Sequence, residues 1–472
     1  MNQGFDGFPI RFFTDISGIP RASGNEAGVA AYLERFAAEH GLFCMRDAAN
    51  NVLIKKGGTR GRESEPAVLL QAHTDMVAEK NKGVAHDFAT DPIRLIYEGN
   101  ILRADATTLG ADDGFGVAIM LAVLTEATDH PPLECLFTSS EEVGMDGAKA
   151  FDFSTIRARR LLNLDSAEEA DVIVGCCGGQ RTDLHVPITR ESCGGEGLLV
   201  TISGLCGGHS GEDIHRGRAN ALTLMHTLLC RVGEQTTMRL SFVRGGDKDN
   251  AIPRECEALL AVKDPDAALA ALTLAAKEVR DAVRAPEDAG LRIEWQEAPY
   301  DSLIGEQDTA HVLYLLGTQG GVLAWRKEGV LPQSSRNVAS VAVDDSTARV
   351  SVSTRSPEAA VLRESNRVLE RRAERVCGSA THRGAYPGWE SPSDSPLVRA
   401  WGDAYREITG GEIRTTVIHA GLECGLICDA LGGTQAIAVG CNIHDLHTPD
   451  ERMELDSFLR IYQTVLAFLK RI

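Results

Sequence analysis

The chain has 472 residues, of which 43% are hydrophobic and 24% charged, and its formal net charge is −19. This length suffices for two or three domains with large cores, so folding requires no disulfide framework. The excess of acids argues against nucleic acid or an anionic membrane as a partner, because both repel a negative surface. Twelve cysteines without a CxxC pair fit neither a disulfide-rich secreted scaffold nor a cysteine zinc site.

The N-terminus and the apolar segments favour a reducing, cytoplasmic location. Asp6, Arg11 and Asp15 interrupt the apolar core that a signal peptide would need. The longest apolar run, near Val117–Leu124, is too short to span a membrane. We therefore expect a cytoplasmic protein without a membrane partner.

The first third of the chain alternates helix and strand patterns. Apolar residues recur at helical spacing in Asn25–His40, and a second helix is predicted over Gly114–Thr125. Short apolar runs that end in polar residues predict buried strands at 67–73, 133–142 and 160–166. Because strands alternate with helices, we predict a mostly parallel sheet with helices on both faces.

The middle of the chain has an α+β pattern. Strands are predicted at 197–204, 238–246 and 348–356, and helices near 220–231, 267–284 and 357–376. From Tyr386 a Pro/Ser-rich junction leads to a last buried strand within 436–451, which runs into a polar loop.

These patterns predict an α/β domain that an inserted α+β domain interrupts. We expect the α/β domain to comprise residues 1–185 and 386–472, and the insert to comprise residues 186–385. The insert is long enough to hold two similar α+β halves.

Acids and histidines lie at the ends of the predicted strands of the α/β domain and in one tight Gly-bounded loop before a predicted helix. The strand ends carry His73 and Asp75, Glu141 and Glu142, Asp165, and His444 and His447, and the loop carries Asp112 and Asp113. Because the carboxyl ends of strands in an open α/β sheet form the ligand crevice, we expect these side chains to share one rim. Imidazole and carboxylate ligands without thiolate favour zinc, with manganese or cobalt as alternatives.

Two histidines and three carboxylates can hold two metal ions if one carboxylate bridges them. A further carboxylate must then take the proton of the attacking water. Within the Glu141-Glu142 pair one side chain could bind metal and the other act as base, and Asp75 could orient the ring of His73. Taken singly, a Glu-Glu pair also fits a solvated surface, and Asp165 also fits a helix N-cap.

Seven segments together resemble the dinuclear-zinc dipeptidase and aminoacylase superfamily, most closely its aminoacyl-histidine dipeptidase branch. They are LLQAHTDMVAEKN (69–81), TLGADDGFGVA (108–118), FTSSEEVGMDGA (137–148), NLDSAEE (163–169), GLCGGHSGEDIHRGRANA (204–221), HAGLECG (419–425) and HTPDE (447–451). The segments occur in order over nearly the whole chain, and in combination they are specific.

The resemblance implies a ligand set for two zinc ions. His73 and Asp165 would bind the first ion, Glu142 and His447 would bind the second, and Asp112 would bridge them.

The resemblance also implies roles for the other acids of this rim. Glu141 would be the general base and acid, and Asp75 would support His73 from behind. Asp113 stands where many relatives have Asn, so it either adds negative charge beside the bridge or points to solvent.

The inserted domain would be a lid that binds the substrate. The resemblance implies that His209 stabilises the oxyanion on the scissile carbonyl. Asn250 and Arg355 would hold the C-terminal carboxylate of the substrate, for which an Arg fork is suited. Glu423, or its loop, would meet the substrate amine. Without the family, a loop histidine, a turn residue and a surface salt bridge would explain His209, Asn250 and Arg355.

Other motifs fail to indicate a different chemistry. HExxH is absent, which argues against a zincin-type metalloprotease. A Cys441–His444 nucleophile is conceivable, but a packed cysteine fits that strand end better. His215 and His419 fit structural roles better than extra positions at the rim.

We therefore predict hydrolysis of unblocked dipeptides, including Xaa-His dipeptides, by a bridging water that two zinc ions and Glu141 activate. Hydrolysis of N-acyl amino acids and non-catalytic metal binding on the same fold are the alternatives. The expected partner is a small peptide substrate and not nucleic acid. A homodimer is compatible with the sequence, since relatives with short lids lend the lid histidine across an interface, but this long insert could supply His209 within one chain.

Overall fold

We describe a computed structural model of the chain, which covers residues 8–327 and 329–472. These residues form two compact units. The first unit comprises the described residues up to Cys176 together with Trp389–Val417 and Leu422–Ile472, and the second comprises Cys177–Gly388 and Ile418–Gly421. The functions of catalytic domain and lid for these units stay predictions.

Helices and strands follow one another along the chain in three stretches. Up to Cys176 they are α1 (Phe8–Ser17), α2 (Ala27–Glu39), β1 (Phe43–Arg46), β2 (Val52–Lys56), β3 (Val68–His73), β4 (Leu95–Glu98), β5 (Ile101–Ala104), α3 (Ala111–Glu126), β6 (Leu133–Thr138), α4 (Asp146–Ala150), β7 (Arg160–Asn163) and β8 (Asp171–Cys176). From Cys177 to Gly388 they are β9 (Gly178–Pro187), β10 (Arg190–Ser203), β11 (Gly208–His209), α5 (Ala221–Gln235), β12 (Met238–Gly245), β13 (Ala251–Ile252), β14 (Cys256–Val262), α6 (Pro265–Ala282), β15 (Arg292–Ile304), α7 (Glu306–Leu316), β16 (Gly321–Trp325), β17 (Pro332–Val343), β18 (Thr347–Ser356), α8 (Ala359–Glu374) and β19 (Ser379–Tyr386). The remaining elements are β20 (Trp389–Glu390), α9 (Pro396–Thr409), β21 (Arg414–Ile418), α10 (Glu423–Leu431), β22 (Gln435–Ala438), β23 (Ile443–His444), β24 (Arg452–Glu454) and α11 (Leu455–Leu469). Short 3-10 helices lie at Phe153–Thr155, Ile214–Arg216 and Pro286–Asp288.

The predicted α/β class is confirmed by the main sheet of the first unit. Its strands follow the order β1-β2-β6-β3-β7-β22-β8-β20, and β21 also pairs with β8. The central strands β6, β3, β7 and β22 are parallel neighbours, and the outer pairs in that order are antiparallel. The mostly parallel sheet predicted from the sequence is therefore a parallel centre with antiparallel margins.

Helices cover both faces of this sheet. Val68, Leu70 and Ala72 of β3 point into the main core, to which α1, α2, α3, α9 and α11 also contribute buried side chains. Because side chains alternate along a strand, Gln71 points to the other face. There it contacts Glu423 of α10. The parallel strands thus end together, with α3 beginning on one side of their carboxyl ends and α10 on the other.

The inserted region contains the two similar halves that its length allowed. One half runs β10-α5-β12-β14-α6-β15 with the strand order β15-β10-β14-β12, and the other runs β9-α7-β17-β18-α8-β19 with the strand order β17-β18-β9-β19. If the strands of each half are numbered along the chain, both halves have the order 4-1-3-2 within a βαββαβ unit. The first half is inserted between β9 and α7 of the second half.

The halves join where β12 meets β17. The only register pair between these strands in the described structure is Gly245 with Val341. The next residue, Gly246, has a φ of 75°, and a Cβ built there would collide with the carbonyl oxygen of Ala339. The seam therefore requires glycine for its backbone conformation and for the close approach of the two strands.

No helix in residues 8–327 or 329–472 combines the length and apolar character needed to cross a membrane.

Replacement of Gly246 by alanine tests this seam. We expect a loss of about 2 to 4 kcal/mol in the free energy of unfolding, because the backbone carbonyl cannot move away without breaking the strand pair. Urea unfolding of the variant measures it. Gly233→Ala in α5 is the matched control, since its Cβ would lie 3.5 Å from Met238. Because alanine favours a helix more than glycine does, Gly233→Ala should raise the free energy of unfolding by up to about 1 kcal/mol. Equal stability of both variants would contradict the proposed role of the seam.

Candidate metal centre

Asp112 contacts two histidines that come from distant parts of the chain. Its Oδ1 lies 3.0 Å from Nε2 of His73, and its Oδ2 lies 3.1 Å from Nε2 of His447. His73 ends the buried strand β3, and His447 lies in the turn between β23 and β24. Oε1 of Glu142 is also 3.1 Å from Nε2 of His447. Each oxygen of Asp112 thus faces one imidazole, as a carboxylate shared by two metal ions would require.

Two groups of ligand atoms lie close enough to hold a metal ion. The ligand atoms of His73, Asp112 and Glu142 lie within 4.8 Å of one another, and so do those of His73, Asp113 and Asp165. The predicted metal ligands therefore converge in the first unit. Their individual roles as ligands stay predictions.

Asp113 does not point to solvent, because its side chain is fully buried. Its Oδ2 accepts the backbone N–H of His73 at 3.1 Å, and its Oδ1 accepts that of Gly116 at 3.2 Å. Burial, together with repulsion by Asp165, raises the pKa of Asp113 well above its ordinary value. Asp113 thus links the end of β3 to the start of α3 and adds one more acid beside His73.

Asp75 lies behind His73 and also holds the Glu141-Glu142 turn. Its Oδ1 is 3.4 Å from Nδ1 of His73. The same carboxylate accepts the backbone N–H of Glu141 at 3.0 Å and that of Glu142 at 3.2 Å. The hydroxyl of Ser23 donates to its Oδ2 at 2.8 Å. A carboxylate in this position orients an imidazole ring from behind.

Burial and like charge determine the protonation of this cluster. Burial raises the pKa of Glu141 well above its ordinary value, and repulsion by Asp165 adds to that shift. Burial raises the pKa of Asp165 in the same way. Burial acts on Asp112 too, but hydrogen bonds with His447 and His73 hold the pKa of this acid below its ordinary value. For His447 burial opposes the shift, yet its contact with Asp112 helps raise the pKa to about 11.

Glu423 begins α10, and its side chain is fully buried. Its Oε2 accepts hydrogen bonds from Nε2 of Gln71 at 2.5 Å and from Oγ1 of Thr138 at 2.6 Å. Gln71 in turn accepts a hydrogen bond from Asn163 at 2.7 Å. The two direct partners of Glu423 belong to β3 and β6, and Gln71 links them to β7 through Asn163. The other oxygen, Oε1, has no hydrogen-bond partner among the described residues. The contact of Glu423, or its loop, with a substrate amine stays a prediction.

His209 and Asn250 are neighbours in the second unit. They lie beside each other where β11 pairs with β13, and the N–H of Ser210 donates to the carbonyl of Asn250 at 2.7 Å. Nδ1 of His209 accepts the backbone N–H of Glu212 at 3.2 Å. In the neutral ring this acceptor role places the proton on Nε2.

Arg355 of β18 reaches the same place and is 7% exposed. Its Nη1 donates to Oη of Tyr386 at 2.8 Å, and its Nη2 is 3.4 Å from Nε2 of His209 and 3.5 Å from Oγ of Ser210. Among the described residues, no carboxylate forms an ion pair with Arg355. A buried cation without an acid partner is costly. Because Nη2 and Nε2 both carry protons, the site suits an anionic oxygen.

His419 has a structural position, as its sequence context favoured. It is buried, with Nδ1 3.0 Å from Sγ of Cys177 and Nε2 2.7 Å from Oγ of Ser335. Burial, and then the charge of Arg355, lowers its pKa to about 3. His419 is therefore a neutral residue that fixes the backbone beside Arg355.

A nucleophile formed by Cys441 and His444 is not supported. Cys441 is fully buried, and burial raises the pKa of its thiol well above the ordinary value. Nε2 of His444 lies 3.0 Å from Oε1 of Glu454. His215 lies in the 3-10 helix Ile214–Arg216 and is not one of the metal-binding candidates among the described residues.

Several residues that support the site were absent from the sequence candidates: Arg21, Ser23, Glu26, Tyr386 and Glu451. Glu26 accepts hydrogen bonds from the N–H and the hydroxyl of Ser140 at 3.1 and 2.9 Å, which hold Ser140 at a φ of 52°. Arg21, Ser23 and Glu26 could have been found from the polar segment PRASGNE (20–26), which lies between two apolar helices. That segment also fits an ordinary helix start, so it did not stand out.

Comparisons with known proteins found a matching family model, similar sequences and similar structures. The sequence model of peptidase family M20/M25/M40 matches residues 69–471. The cytosol non-specific dipeptidase of Escherichia coli strain K12 is 34% identical over 98% of this chain and 96% of its own length. The crystal structure of aminoacylhistidine dipeptidase from Vibrio alginolyticus superposes with a TM-score of 0.85 at 33% identity, over 99% of this chain and 97% of that chain. A Staphylococcus aureus tripeptidase, 16% identical over 99% of each chain with a TM-score of 0.57, has the same fold.

The buried position of Glu423 predicts a pH-dependent stability. Burial raises its pKa to about 7, from 4.5 in the unfolded chain. The contribution of Glu423 to the free energy of unfolding is fully present below pH 4.5. It is lost as the pH rises through 7, because between these values the carboxyl group is ionised only in the unfolded state. Glu423→Gln removes the titration. Relative to wild type, we expect the variant to gain on the order of 2 kcal/mol in the free energy of unfolding between about pH 5 and pH 8.

Urea unfolding of chelated protein at both pH values measures this difference. Glu278→Gln, which changes an exposed carboxylate, is the matched control. Parallel pH profiles of wild type and Glu423→Gln would show that the carboxylate is ionised in the folded protein.

Proposed function

Since the chain belongs to peptidase family M20/M25/M40, we propose that it is a metal-dependent dipeptidase. The observation that carries this proposal is the contact of one carboxylate, that of Asp112, with both His73 and His447. Similarity to a dipeptidase over 98% of the chain supports the same class of substrate.

The residues of the first unit fit a pair of divalent metal ions. Their donor atoms are imidazole nitrogens and carboxylate oxygens, which suit zinc, with manganese or cobalt in second place. The closely spaced acids repel one another, and the positive charge of the ions would offset this repulsion. We assign His73, Asp112 and Asp165 to one ion and Asp112, Glu142 and His447 to the other. When bound, such ions polarise a carbonyl group and lower the pKa of water.

Glu141 is the residue that we assign to proton transfer. Glu142 is directed to His447 and belongs to a candidate ligand group, whereas Glu141 belongs to no such group among the described residues. Burial raises its pKa, so the carboxylate is a stronger base than an exposed glutamate. It takes a proton from the attacking water and delivers it to the amine that leaves. Asp75 holds the backbone of Glu141 and orients the ring of His73.

Arg355 and Asn250 are assigned to the C-terminal carboxylate of the substrate. The buried guanidinium, held by Tyr386 and without an acid partner among the described residues, supports this assignment. Nε2 of His209 donates a hydrogen bond to the oxyanion that forms on the scissile carbonyl. Glu423, or its loop, stays the proposed contact for the substrate amine, since Oε1 of Glu423 has no hydrogen-bond partner among the described residues.

A single chain supplies all of these residues. His209 and Asn250 belong to the first half of the inserted region, and Arg355 belongs to the second half. Because Arg355 contacts His209 within the second unit of one chain, we propose that activity does not require one chain to lend His209 to another, even if the protein forms a homodimer.

The proposed substrates are unblocked dipeptides, including Xaa-His dipeptides, in keeping with the aminoacylhistidine dipeptidase that the structure resembles. The proposed location is the cytoplasm. Hydrolysis of N-acyl amino acids is the rival activity, because it needs the same scissile amide and the same C-terminal carboxylate.

Glu141→Gln tests the mechanism. We expect the variant to bind two zinc ions per chain and to lose about 10²- to 10⁴-fold in kcat, because the base is absent while the assigned ligands remain. Metal analysis and turnover of a dipeptide panel, with N-acetyl amino acids beside it, measure both. Glu168→Gln is the control, since Glu168 is exposed. Full activity of zinc-loaded Glu141→Gln would refute the mechanism, and preferential turnover of acetylated substrates would favour the rival.

Mixing two inactive variants tests whether one chain is sufficient. We expect His209→Ala and Glu141→Gln, combined after unfolding and refolding together, to stay inactive, because neither chain contains a complete set of residues. Activity near a quarter of wild type would show instead that His209 acts across an interface. Light scattering at the assay concentration gives the mass of the species measured.

A further inference from the structure

We propose that Arg21 and Glu451 are positioning residues that clamp the loop of Asp112 from two sides. The inference rests on the proposed function and extends it to two residues outside the assigned ligands and the assigned base. Both side chains are 2% exposed, and both contact the backbone of Gly110, two residues before Asp112.

Glu451 fills the turn that precedes α3. Its Oε2 accepts the backbone N–H of Leu109 at 2.8 Å and of Gly110 at 3.1 Å, and its Oε1 accepts the N–H of Ala111 at 2.8 Å. The N–H of Asp112 is 3.5 Å from Oε1. These N–H groups belong to the turn that leads into the regular part of α3, since Asp112 and Asp113 have non-helical backbone angles. Their partner is a carboxylate that lies 340 residues beyond Ala111 in the chain.

Arg21 holds the opposite side of the same loop. Its Nη2 donates to the carbonyl of Gly110, and its Nη1 donates to the carbonyls of Thr74 at 3.0 Å and Asp75 at 3.1 Å. The guanidinium thus joins the loop of Asp112 to the residues that directly follow His73. Three carbonyls fixed by one planar group leave little freedom for the loop to slide along the end of β3.

The two glycines that enclose the motif GADDG are explained by Arg21. A Cβ at Gly110 would lie 2.6 Å from Nη2 of Arg21, and a Cβ at Gly114 would lie at the same distance from the same atom. Gly110 also has a φ of 69°, which favours glycine. The two glycines of the motif therefore leave the space that the guanidinium of Arg21 occupies.

The clamp connects Asp112 to both histidines that it contacts. Arg21 joins its loop to the strand end that carries His73. Glu451 lies four residues after His447 in the turn between β23 and β24, so it joins the same loop to that turn. Contacts of 3.0 and 3.1 Å on the two oxygens of one carboxylate tolerate displacements of only a few tenths of an ångström. Removal of either clamp residue should therefore misplace Asp112 and leave the ligands themselves in the chain.

Glu451→Gln is the primary test, because the amide keeps the size of the side chain but loses the charge and one acceptor. With Zn²⁺ as the probe, in competition with a chromophoric chelator, we expect affinity to fall about 10- to 100-fold. At saturating Zn²⁺ we expect kcat to fall at least about tenfold and KM to change less than about threefold. Glu454→Gln is the matched control, since it makes the same change three residues away on a carboxylate that pairs with His444.

Arg21→Met is the second test of the proposal, because methionine keeps the apolar part of the arginine side chain and removes the guanidinium. The same loss of Zn²⁺ affinity is expected, with Arg11→Met, on the exposed side of α1, as its control. In the double variant the loss should be smaller than the product of the single losses, because both residues act on one loop. If Glu451→Gln does not fold by near-ultraviolet circular dichroism, Arg21→Lys provides the measurement with the charge retained.

Wild-type Zn²⁺ affinity and kcat in folded Glu451→Gln and Arg21→Met would overturn the clamp, even if their melting temperatures fall. Failure of the wild-type protein itself to bind Zn²⁺ would overturn the proposed metal centre instead, so the two failures are distinguishable.

Discussion

Both oxygens of Asp112 must face imidazole rings that the chain brings from positions 73 and 447, and much of the first unit is arranged around that requirement. The parallel strands end together, so His73 can meet a residue from the first turn of α3. The hairpin between β23 and β24 then brings His447 to the second oxygen. Since these three residues are distant in sequence, only tertiary packing can hold the geometry.

Two of the surrounding acids, Asp75 and Glu451, are held by backbone N–H groups. Asp75 accepts from Glu141 and Glu142, and Glu451 accepts from the turn before α3. A backbone donor orients a carboxylate without cancelling its charge. The acids of the cluster therefore stay close together. Without a metal ion their mutual repulsion is destabilising, and this favours the binding of a divalent cation.

The sequence predicted the rim because most candidates follow an apolar strand, and strand ends are visible in a pattern of hydrophobicity. Asp112 and Asp113 were visible instead as the acids of a Gly-bounded loop before a predicted helix. The pattern of hydrophobicity does not predict the contacts of Arg21 and Glu451. Their partners are backbone atoms of a loop that lies up to 342 residues away in the chain. The burial of Glu423 could not be predicted from the sequence for a related reason. Its motif resembles one near a substrate, but burial against Gln71 and Thr138 is a tertiary property that no local pattern records. Asp113 likewise left two alternatives open, and only its burial decided between them.

The arrangement of the two halves explains why the segment that carries His209, which we propose to act on the substrate, occurs once among the described residues. In the first half, His209 lies between the first strand, β10, and the first helix, α5. In the second half, the corresponding connection runs from β9 to α7 and is occupied by the whole first half. The second half therefore has no equivalent segment to carry a histidine, and it contributes Arg355 from β18 instead. Two halves with the same strand order thus make unlike contributions, because the first half interrupts the second between β9 and α7.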